Sequence, residues 1–168
     1  MTKKKKIVNN RIDETLLDGT LKSMVHAMRS ANNIGVIDDK LYKTLTDTFV
    51  RAVKASLKME IHKLPEDKRD EFEKFANGLV KYVKKANDLD SFLSALSSVS
   101  IAKQNIVRRL SESRFSRFFD GLVKSKDKAM EWITDNKQKF IKMIKEFLTE
   151  WITEILISTS SKLQKKGA

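Results

Sequence analysis

Apolar residues in the last third of the chain recur in steps of three and four. Met130, Ile133, Phe140, Ile144, Phe147 and Trp151 form one row, with Ile141, Leu148, Ile152, Ile155 and Leu156 beside it. One face of an α-helix requires that spacing. No Gly or Pro interrupts before Gly167. The pattern therefore predicts one unbroken helix from about Lys126 to Leu163, about 50 Å long at roughly 1.5 Å per residue. A helix of that length needs other elements packed along it. The expected fold is all-α, a helical bundle of five to seven helices around a long C-terminal helix. Residues 11–168 form its single domain, behind a basic arm at 1–10.

The earlier chain supplies the other helices. Ile12, Leu16, Leu21, Met24, Val25 and Met28 mark one over Arg11–Ala31. Asn32-Asn33-Ile34-Gly35 ends it, because Asn and Gly tolerate the left-handed backbone of a C-cap. A second helix is expected over Asp38–His62, with Leu41, Leu45, Phe49, Ala52 and Val53 inward and two aspartates at its positive end. Pro65 marks the start of a third, as the first helical residue, with Phe72, Phe75, Leu79, Tyr82 and Val83 facing inward. Residues 87–90 read as a turn and 91–99 as a short helix. Ser100 then caps a further helix from Ile101 to about Ser111. Phe115, Phe118, Phe119 and Leu122 follow, and Gly121 and Ser125 precede the long last helix.

Composition narrows the class. The chain has 168 residues, 40% hydrophobic and 33% charged, with five Gly, one Pro and no Cys. That suits a globular chain of long helices with neither disulfides nor thiolate metal sites. The net charge is +12, which draws polyanions: nucleic acid, anionic lipid or an acidic protein. The charge is spread, +4 over 1–37, +3 over 38–86, +2 over 87–125 and +3 over 126–168. Lys3, Lys4, Lys5 and Lys6 read as a solvated arm or as one that lies on phosphates. The residues after them are too short and polar a run for a signal peptide, and no window is apolar enough for a spanning helix. An intracellular protein is expected, cytoplasmic or associated with nucleoprotein.

Catalytic chemistry finds little support. His26 and His62 are far apart in sequence, without metal-ligand spacing. The carboxylates sit in first turns of helices or at salt-bridge spacing, and neither a phosphate-binding glycine loop nor a nucleophile elbow is present. A non-enzymatic protein is expected, with no cofactor, metal or small-molecule substrate.

Residues 100–119 are the most informative polar stretch. They hold Lys103 and four of the eight arginines, Arg108, Arg109, Arg114 and Arg117, against Glu112 as the one acid. Serines, Gln104 and Asn105 add short hydrogen-bonding groups suited to phosphates and base edges. Ser100–Leu110 resembles the recognition helix of helix-turn-helix proteins, with residues 90–98 as the preceding helix. That resemblance implies that Lys103, Gln104, Arg108 and Arg109 face DNA. The plainer alternative is a basic helix packed by Ile106 and Leu110. The phenylalanines among Arg114 and Arg117 either stack unpaired bases or form core beneath a charged rim, and core is favoured.

The double apolar row of the last helix is wider than a surface helix needs. Three readings stand: a central core position, a self-association surface through Phe140, Ile144, Phe147, Trp151 and Ile155, or insertion at a membrane surface. Together these features point to a nucleic-acid-binding protein, DNA favoured, and more specifically to a self-associating coat or packaging subunit. The competing class is a helical module that binds a protein partner or membrane surface through the apolar face of the last helix.

Overall fold

The computed structural model describes residues 19–102 and 114–167. Seven α-helices and one short 3-10 turn make up its regular structure, and the described residues contain no strand. The expected all-α bundle with a long C-terminal helix is what forms. The helices are α1 (Gly19–Asn33), α2 (Leu41–Glu60), α3 (Glu66–Val83), α4 (Leu89–Ala102), α5 (Arg114–Lys124), α6 (Lys126–Asp135) and α7 (Lys137–Gly167). The turn Ile61–Lys63 lies between α2 and α3.

Local chemistry explains the boundaries. Beyond α1, Gly35 takes φ +80. Its N–H donates to the Asn32 carbonyl at 3.1 Å, and that of Val36 donates to Ala31 at 2.9 Å. These are the two bonds of a Schellman motif, and they use carbonyls the helix end leaves free. Pro65 sits one residue before α3, extended at ψ 149, rather than as its first helical residue.

The start of α4 is more elaborate than the expected turn. The Asp88 carboxylate accepts the N–H of Ser91 at 2.7 Å. The Ser91 hydroxyl accepts the N–H groups of Asn87 and Asp88 at 3.1 and 3.2 Å. This is the reciprocal pattern of a capping box, with Ser at the third helical position. Asp39, which precedes α2, accepts the Leu89 N–H at 3.1 Å, so the start of α4 is also fastened to the start of α2.

Two expected boundaries are corrected. Residues 97–100 do not connect two helices but lie inside α4, which continues to Ala102. The Ser97 and Ser98 hydroxyls donate to the carbonyls of Leu93 and Ser94, four residues back, and so sit within the helix without ending it. The long C-terminal helix is interrupted at Asn136 (φ −128, ψ 40). The Asn136 backbone and side-chain N–H groups both donate to the Trp132 carbonyl, at 2.8 and 3.0 Å, while its own carbonyl accepts the Phe140 N–H. One residue thus closes α6 and opens α7. The remaining helix has 31 residues, about 46 Å at 1.5 Å per residue.

Helix α7 lies at the centre. It packs most extensively on α2 and also meets α3 and α6, while α1 packs on α4, α5 and α6. Phe147 joins the two groups. Its ring meets the edges of Phe115 and Phe119 from α5 at centroid distances of 5.4 and 6.0 Å and stacks on Trp151 at 6.3 Å. Such pairs add roughly 0.5–1.5 kcal/mol each beyond the area they bury. The α1 stripe Leu21, Met24, Val25 and Met28 is buried, as are Leu45, Phe49, Ala52 and Val53 of α2. Tyr82, expected inward on α3, is 43% exposed. Ile12 and Leu16 lie outside the described residues.

Candidate nucleic-acid interface

The wide apolar face of α7 is core. Phe140, Ile144, Phe147, Trp151 and Ile155 are each 0% exposed. Neighbouring helices and the α5 phenylalanines surround these five side chains. The five residues expected as a self-association surface are therefore taken up by the chain's own core. The physical reason is the width of the face itself: two adjoining rows are what a helix covered from two sides requires. No helix among the described residues is long and apolar enough to cross a membrane.

The expected basic site is only partly described. Lys3, Lys4, Lys5, Lys6, Lys103, Gln104, Arg108 and Arg109 lie outside the described residues. Arg114 begins α5, and Arg117 lies one turn further along with an exposed side chain. Beneath it, Phe115 and Phe119 are fully buried, and Phe118 packs edge-on to Phe119 and Trp132. The aromatic-basic alternation is therefore core under a charged rim, as favoured. The helix-turn-helix reading loses its turn, because α4 runs without a break through the residues that would form it.

A cationic feature within the described residues lies on α2. The buried face of α2 carries Leu45, Phe49, Ala52, Val53, Ser56 and Glu60. Opposite it, Lys40, Lys43, Arg51, Lys54 and Lys58 are all exposed. At 100° per residue these five fall within about 80° of one another, along about 27 Å of helix. Asp47 is the one acid in that sector. Among the described residues none of the five is held in an ion pair; the pairs found are Arg29–Asp90, Lys63–Glu60 and Lys74–Asp70.

The neighbouring acids are mostly engaged. Asp39 and Asp88 cap α4. Asp38 accepts the Lys40 N–H at 2.8 Å, and Asp90 accepts the Arg29 guanidinium, which also donates to Ser94. The backbone and hydroxyl of Ser91 hold the Asp88 carboxyl below its ordinary value. His26 and His62 are exposed. Among the described residues, no group of three or more His, Cys, Asp or Glu is placed to hold a metal ion. Comparison with family models, with curated proteins and with solved structures finds no match.

Proposed function

We propose that this is a non-enzymatic nucleic-acid-binding protein, DNA favoured, that holds phosphates through surface lysines and arginines. The observation that carries the reading is the pairing of a +12 charge with an interior that takes in Phe140, Ile144, Phe147, Trp151 and Ile155 of α7. Its outward chemistry is cationic rather than apolar, and a polyanion is the ligand that such a surface attracts. Counterion release from the nucleic acid would supply most of the affinity, so binding should fall steeply with salt.

A self-associating coat or packaging subunit is the more specific form of this proposal. Charge shared by every quarter of the chain suits coating better than reading one short site. With Phe140, Ile144, Phe147, Trp151 and Ile155 internal, copies would gather along the polymer rather than through those residues.

Fluorescence anisotropy on labelled duplex and single-stranded DNA and RNA, at low and moderate salt, tests the proposal. Light scattering alongside reads the mass of the particles. Salt-sensitive binding with DNA preferred is expected, with particle mass rising as the polymer fills. A folded protein that binds none of these at low salt would overturn it.

A further inference from the structure

We infer that the solvent-facing ridge of α2, Lys40, Lys43, Arg51, Lys54 and Lys58, is the surface on which the phosphate backbone of duplex DNA lies; this rests on the nucleic-acid reading above and gives it an address. The ridge runs about 27 Å from the N-cap Lys40 along α2, and its backbone is pinned by the packing of α2 on α7 and α3. All five side chains are exposed and outside any ion pair among the described residues.

Its polarity along the helix is also set. The acids of α3, Glu66, Asp67, Asp70, Glu71 and Glu73, gather just after the turn that leaves the C-terminal end of α2. The bond from Leu89 to Asp39 brings the region after α3 to the N-terminal end of α2. Exposed Lys81, Lys84 and Lys85, at the close of α3, therefore lie at the same end of the bundle as Lys40 and Lys43. The carboxylates at this end are committed: Asp38, Asp39 and Asp88 to backbone N–H groups, Asp90 to Arg29.

The chemistry favours a duplex over the other polyanions. Stacking of unpaired bases needs aromatic faces, whereas α2 holds its two aromatics inward: Phe49 is buried and Tyr42 packs on the core. Membrane-surface helices place a broad apolar face opposite their cations and insert it; here the opposite face is the protein core. Met59, 69% exposed, lies about 120° round from the centre of the ridge, where it adds no wedge.

The test compares two variants of equal charge in the full chain. One carries Lys43→Gln, Arg51→Gln, Lys54→Gln and Lys58→Gln. The control carries Lys137→Gln, Lys139→Gln, Lys142→Gln and Lys165→Gln, all exposed on α7. Circular dichroism and thermal melting establish that both fold. Affinity for a labelled 20-base-pair duplex is then measured across salt concentrations. The ridge variant is expected to lower the log–log salt slope by about 3 to 4, at roughly 0.9 for each phosphate no longer neutralised, while the control shifts it by less than about 1. Equal losses in the two variants overturn the ridge and leave the nucleic-acid reading intact. Absence of wild-type binding to any nucleic acid overturns that reading and the ridge with it. Tighter wild-type binding to phosphatidylserine vesicles than to the duplex at the same salt overturns the ridge in favour of a lipid surface.

Discussion

The carboxylate of Asp39 accepts the backbone N–H of Leu89 at 3.1 Å across fifty residues of chain. One side chain ahead of α2 thus satisfies an N–H that the start of α4 would otherwise leave free. Asp39→Ala should cost about 1 kcal/mol, the usual scale for loss of a cap. The expected reading is a lower urea midpoint with an unchanged slope. Asp39→Asn keeps an acceptor oxygen and should recover most of the loss; equal losses in the two variants would mean that the bond contributes nothing.

Asp88 gives the fold a measurable acid dependence. The Ser91 backbone N–H, and then the Ser91 hydroxyl, favour its charged form and lower its pKa. Unfolding returns the carboxyl to its ordinary value near 3.9, so below that value the unfolded chain binds more protons. The stabilisation is therefore full above that value and disappears as pH falls through the lower folded one. Thermal melting between pH 2.5 and 7 should show a shallower acid-side fall for Asp88→Asn than for the wild type. Parallel curves would remove this role.

The aromatic junction should dominate the response to core truncation. Phe147→Ala removes the ring that Phe115, Phe119 and Trp151 all meet, and about 3–5 kcal/mol should be lost. Trp151→Phe is expected to cost less than half as much. The Trp151 Nε1–H is buried with no acceptor among the described residues, and removing such a group offsets part of the lost packing. Chemical denaturation of the two variants checks the ratio.

Gly35 isolates a backbone effect. A Cβ there would meet nothing within 4 Å, yet φ is +80, a region costing side-chain-bearing residues roughly 1–2 kcal/mol. Gly35→Ala should lower stability by about 1 kcal/mol, and Gly35→Asn by less. A neutral Gly35→Ala would show that the loop relaxes out of the left-handed region.

Periodicity made the helix class and most of the core readable, because burial of α2 and α7 follows the three-and-four spacing directly. Breaks and joins were harder. Asn136 interrupts the last helix with a side-chain bond to Trp132, and no Gly or Pro advertises it. The serines of α4 resemble a loop in composition, but their hydroxyls bond back to the helix they occupy. Reading them as a connection split α4 into two expected helices. The double row of α7 admitted both core and interface because periodicity records which residues are apolar, not what covers them. The α2 ridge was written in the sequence at steps of three, four and eight, and became distinct once the opposite face was seen to be buried.

The closed interior also sets a thermodynamic character. Phe140, Phe147, Trp151 and Ile155 are already dry in the single chain, and large negative heat-capacity changes on association come from burying apolar surface. A complex formed on the lysines and arginine of α2 would exchange ions and hydration water and leave that surface as it was. Calorimetry would then register an affinity that bends little with temperature, in a protein whose own unfolding bends strongly.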